Sequence, residues 1–166
     1  MSTVPTTAPS KAAGARARGL LVAGGPTNGV AANAALLAGA ALMVWAAVIH
    51  LHLWSTGYRH IPTIGPLFLL QGITAVVLAA VLAAVRRVWI ALASFGFVAS
   101  TIGGFLLSVD VGLFGFQDSW SAPFATMAFG VELAALVVLA AGAALCLRRS
   151  PAVGSSPAPA AGATGG

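Results

Sequence analysis

The fold this sequence predicts is an all-α integral membrane domain, four antiparallel transmembrane helices in an up-down-up-down bundle. Three observations predict it. Mean hydropathy is +0.98, 59% of residues are hydrophobic and 7% are charged, whereas soluble domains carry roughly 25% charged residues. So little charge cannot build a water-facing surface. Four apolar runs follow one another, each about 20 residues or more, the length that crosses a hydrocarbon core of roughly 30 Å as a helix. Lys and Arg fall between these runs in ones to threes, a pattern that sets topology.

Residues 1–29 read as a disordered cytoplasmic tail. MSTVPTTAPSKAAGARARG is Ser/Thr/Pro/Ala-rich and buries too little to offset its ordering entropy. The run Leu20–Ala23 is too short for a signal-peptide core and is broken by GGPTNG, so no cleavage is expected. The membrane domain spans 30–147. Its first helix covers about 30–54, roughly 37 Å of rise. The second covers about 66–85, with Pro66 in the first turn, where its missing N–H is harmless. Arg86 and Arg87 interrupt, and the third covers about 88–109. With so few residues between them, the second and third helices are expected to form a tight antiparallel hairpin. A polar and aromatic loop, 110–122, leads to a fourth helix over about 123–147. Residues 148–166, Pro/Gly/Ser/Ala-rich, read as a disordered cytoplasmic tail.

Orientation follows from the eight basic residues. Lys11, Arg16 and Arg18 precede the first helix, Arg86 and Arg87 stand between the second and third, and Arg148 and Arg149 follow the fourth. Only Arg59 falls on the other side. Positive segments stay cytoplasmic, so both termini are expected inside and the loops 55–65 and 110–122 outside. The composition, rich in Ala, Gly, Val and Arg and poor in Lys, fits a high-GC bacterial genome, and the expected location is the bacterial cytoplasmic membrane. A net charge of +5 does not point to nucleic acid, because no basic face with interleaved aromatics is present. Cys146 stands alone, which excludes an internal disulfide, and no Cys/His metal spacing, catalytic triad, phosphate loop or dinucleotide fingerprint appears. No catalytic residue, metal ligand set or cofactor is therefore named.

Few polar groups remain inside the apolar runs. Glu132 lies about nine residues into the fourth helix, roughly 13–14 Å below its outer end, and an intramembrane carboxylate is expensive enough to count as a functional candidate. His50 lies about one turn below the outer end of the first helix, and Gln71 a similar depth into the second. His50, Gln71 and Glu132 are expected to form one polar cluster in the outer half of the bundle. Arg59, His60 and Asp110 are expected above them at the outer mouth. His52 is two residues from His50, about 200° around the helix, and cannot face the same partner. In the third helix, Gly96, Ser100, Gly104, Ser108 and Gly112 recur every fourth residue, a small-residue ladder that lets another backbone approach closely.

The segment HLHLWSTGYRHIPTIGPLFLLQ, followed by GLFGF, resembles a group of uncharacterised bacterial four-helix integral membrane proteins over about residues 45–130. The resemblance implies architecture and brings no activity, cofactor or catalytic residue. Three function classes fit these observations. The leading one is a non-enzymatic subunit or accessory acting through helix–helix association. Its expected partners are the lipid bilayer and a homo-oligomer or larger membrane complex. The alternatives are a small proton-coupled transporter or channel using Glu132, and a redox or quinone-linked component using His50 and Glu132.

Overall fold

A computed structural model describes residues 29–148. Four helices are present among the described residues: α1 (Val30–Thr56), α2 (Ile64–Val85), α3 (Val88–Asp110) and α4 (Ala125–Arg148), with a 3-10 turn at Tyr58–His60 between α1 and α2. All four are long and apolar enough to cross a membrane. The expectations for the N-terminal tail and for residues 149–166 lie outside the described residues.

The helices pack as a ring in chain order. α1 lies against both α2 and α4, and α3 against α4 and, more sparsely, α2. α1 makes its close approaches with glycine. A Cβ on Gly39 would stand 2.7 Å from the Leu139 side chain, one on Gly142 2.8 Å from Leu36, and one on Gly72 2.7 Å from Leu51. Leu36, Met43, Leu82, Ile90 and Leu139 form the fully buried centre around these contacts. Outward, the surface is apolar: Leu70, Val77, Trp89, Leu92 and Val137 are each half or more exposed. Such a surface suits hydrocarbon and not water.

The expected tight hairpin of α2 and α3 needs correction. The two helices meet at the Arg86–Arg87 link, where Arg86 turns the chain in the left-handed region (φ 46°). Ala79, Leu82, Ile90 and Ala91 pack there. Taken over their whole length, their contact is the sparsest of the four neighbouring pairs. The reason is side-chain size. Small alanines line the seam near the link, whereas Phe68 and Leu70 on α2 and Phe97 and Phe105 on α3 stand along it further away. Those rings keep the axes apart and leave a cavity between them.

Two loops cover this far end. In the first, Gly65 is required by close approach: a Cβ there would lie 2.7 Å from the carbonyl oxygen of Tyr58 and 2.8 Å from that of Arg59. The 3-10 turn therefore rests directly on the start of α2. In the second, Leu113 and Phe116 exchange backbone hydrogen bonds of 2.7 and 2.9 Å. Phe114 and Gly115 between them both have positive φ (52° and 78°), the signature of a type I′ turn. The Gln117 side chain donates to the Val109 carbonyl at 3.1 Å and the Asp118 N–H to that of Ser108 at 3.3 Å. These bonds satisfy carbonyls that the end of α3 would otherwise leave unpaired. Phe124, also at positive φ (62°), sets the chain into α4 two residues later than the sequence suggests.

Candidate functional site

The cavity between α2 and α3 measures about 460 Å³, within the range of small-molecule sites. Its floor is polar. The Gln71 amide nitrogen donates to Nε2 of His50 at 2.9 Å and to Oε1 of Glu132 at 3.1 Å. His50 Nδ1 donates to the Ala46 carbonyl at 2.8 Å. This accounting fixes the imidazole as the neutral tautomer with its proton on Nδ1, leaving Nε2 to accept from Gln71. His50 Nε2 is 3.8 Å from Glu132 Oε1, and the Thr101 hydroxyl, which donates to the Val98 carbonyl at 2.8 Å, also stands at the carboxyl. Three helices thus supply three side chains to one layer, with His50 and Glu132 both buried.

Below this layer the space closes. A void of about 10 Å³, bounded by Met43, Ala47, Ala75, Val98 and Ala135, lies under the cluster, about the room of one water. Beyond it the core is packed down to the Arg86–Arg87 link.

The walls are aromatic. Tyr58 stacks on Phe68 with ring centroids 4.4 Å apart and meets Phe116 edge-on at 5.8 Å. Opposite, Trp120 stands edge-on to Phe105 at 4.9 Å and to Phe129 at 5.1 Å. The Ser108 hydroxyl, buried on the cavity wall, has no hydrogen-bond partner.

Arg59 and His60 are exposed and pair with each other, Arg59 Nε donating to His60 Nε2 at 2.9 Å. Asp110 is exposed at the end of α3. None of the three lines the cavity; Tyr58 and Asp118 do. Burial pushes the Tyr58 phenol above its ordinary 10.0, and the neighbouring Asp118 carboxylate adds to the shift by charge and hydrogen bonding. Asp118 comes to the mouth because the chain turns back over α3 through the positive-φ residues Gly112, Phe114 and Gly115. His52 faces away and meets Phe124 edge-on at 5.5 Å.

The α3 ladder divides. Gly112 lies beyond the helix at φ 83°, added Cβ atoms on Gly96 and Gly104 meet nothing within 4 Å, and Ser100, Gly104 and Ser108 line the cavity. Among the described residues, no three His, Cys, Asp or Glu side chains converge as a metal site would require. Comparison with family models, with curated proteins and with solved structures finds no match to this chain.

Proposed function

We propose that this multi-pass membrane protein is a small proton-coupled transporter or carrier that binds its ligand in the α2–α3 cavity and uses Glu132 as the proton-exchanging group. The bundle runs up-down-up-down with both termini cytoplasmic, in a bacterial cytoplasmic membrane. One observation carries the reading: the only carboxylate within the helical interior forms part of the floor of a cavity, hydrogen-bonded to Gln71 beside His50. A purely structural glutamate has no need of an adjoining cavity. The packed core beneath the floor argues against an open channel, so transfer requires a change of conformation. The loosely packed α2–α3 seam is the place where that change costs least. The test is charge displacement in reconstituted liposomes after a pH step. Wild type is expected to give a transient current that Glu132→Asp keeps and Glu132→Gln loses. An unchanged current in a folded Glu132→Gln protein would overturn the proposal.

A second reading, a subunit acting through association, draws support from Gly96 on α3, exposed and with open space where a neighbouring backbone would pack.

A further inference from the structure

We infer that the cavity takes a lipophilic amine, bound as its ammonium ion at Glu132 and admitted sideways between α2 and α3. The inference rests on the proposed role of the cavity and goes further by naming the ligand's chemistry.

The donor and acceptor inventory decides the class. At the floor the donors are already spent: the Gln71 amide nitrogen serves His50 and Glu132, His50 Nδ1–H serves Ala46, and the Thr101 hydroxyl serves Val98. What remains are carboxylate lone pairs, which call for a ligand that donates. Among the described residues no Lys or Arg lines the cavity, and a second carboxylate, Asp118, stands at its mouth. Facing the ionised Glu132 carboxylate, a quinone brings only acceptors and a carboxylate ligand brings a like charge. An ammonium brings three donors and a positive charge that both carboxylates attract. The walls suit the remainder of such a molecule: Phe68, Phe97, Phe105 and Phe129 offer apolar contact and ring faces for a cation.

Two further observations shape the ligand. The unpartnered Ser108 hydroxyl, itself 6% exposed, is on the same wall as Thr101. Seven residues of helix separate them, about 10 Å of rise. A hydrogen-bonding group at the far end of the ligand would reach it. The route of entry is lateral, because Leu67, Leu70 and Ser100, all on the cavity lining, are exposed along the seam. An amine that partitions into the bilayer reaches this opening without crossing water.

The test uses the purified full chain in detergent, with tryptophan fluorescence as the signal, since Trp120 packs on Phe105 and Phe129 of the wall. The probes are phenylbutylamine, the isosteric phenylbutanol, and decylubiquinone. Phenylbutylamine is expected to bind saturably and at least about tenfold tighter than the alcohol. Glu132→Gln should remove that advantage and leave the alcohol unaffected. Gly104→Leu should weaken both, because it adds bulk on the lining where a Cβ meets nothing. This second variant keeps the test decisive if Glu132→Gln fails to fold. Equal affinity for amine and alcohol, preferred binding of decylubiquinone, or indifference to Gly104→Leu would each overturn the inference. If the pH-step current persists while the amine does not bind, the ligand class alone falls. If both are absent, the proposed function falls with it.

Discussion

The clearest quantitative consequence of the structure concerns the bond between Gln71 and Glu132. Gln71→Leu removes two hydrogen bonds, of 2.9 Å to His50 and 3.1 Å to Glu132. It leaves the carboxyl with the Thr101 hydroxyl and with His50 Nε2 at 3.8 Å, too long for a hydrogen bond. Side-chain hydrogen bonds between membrane helices are worth about 0.6 kcal/mol on average and up to about 1.7. Two of them place the expected loss for Gln71→Leu at roughly 1–3 kcal/mol. Glu132→Leu removes one of the same bonds and substitutes an apolar side chain. The double variant therefore loses the shared bond only once. In a cycle measured by reversible unfolding in mixed detergent micelles, the coupling is expected at about 0.6–1.7 kcal/mol. Additivity within about 0.5 kcal/mol, the behaviour of independent sites, would show that the bond does not form. His50→Leu should couple to Gln71→Leu by a similar amount and to Glu132→Leu by less, since no hydrogen bond joins His50 directly to Glu132.

Three further outcomes are expected. Gly65→Ala should destabilise by about 1–3 kcal/mol in the same unfolding assay, because the atoms it meets at 2.7–2.9 Å are backbone and cannot rotate away; wild-type stability would refute that contact. Tyr58 is the only tyrosine, so tyrosinate absorbance titrates it directly: its midpoint should lie above 10.0 and fall in Asp118→Asn. The fold then holds this proton more tightly than the unfolded chain, so the contribution is complete below pH 10 and is lost as pH rises through the native value; Tyr58→Phe should flatten that alkaline loss. In a Cys146→Ala background, cysteines at 59 or 118 should be labelled from outside and those at 11 and 150 protected; the reverse pattern would overturn the proposed orientation.

What could be read from the sequence divides by the kind of constraint involved. Depth along a helix is arithmetic, because rise per residue is fixed and lipid supplies no partners. That alone groups His50, Gln71 and Glu132 at similar levels, and whether they act as one site is what the cycle and the current measure. The mouth could not be obtained the same way. Asp110 ends α3, but the polypeptide turns back through positive-φ residues at Gly112, Phe114 and Gly115, so that Asp118 occupies the opening. Phe114 and Phe124 are residue types that seldom adopt φ above zero, so nothing local announced that path. What the ladder packs against could not be read for a related reason. Spacing shows which residues share a face of α3, not what the face meets, and here part of it meets a cavity.

The distribution of small and large side chains also explains why the polar layer lies where it does. Glycine at Gly39 and Gly142 clamps α1 to α4, and Gly72 accepts Leu51 against α2. These contacts leave no slack on that side, so His50 and Glu132 are held by a rigid pair. Gln71 reaches them from α2, whose other neighbour, α3, is held off by Phe68, Phe97 and Phe105. A displacement of α3 away from α2 therefore opens the cavity wall and takes Thr101 from the Glu132 carboxyl while the two Gln71 bonds stay in place, whereas a displacement of α2 from α1 breaks Gln71 from both partners at once. Access to the cavity and the Gln71 bonds to His50 and Glu132 are thus separable motions, a separation that the proposed carrier would need.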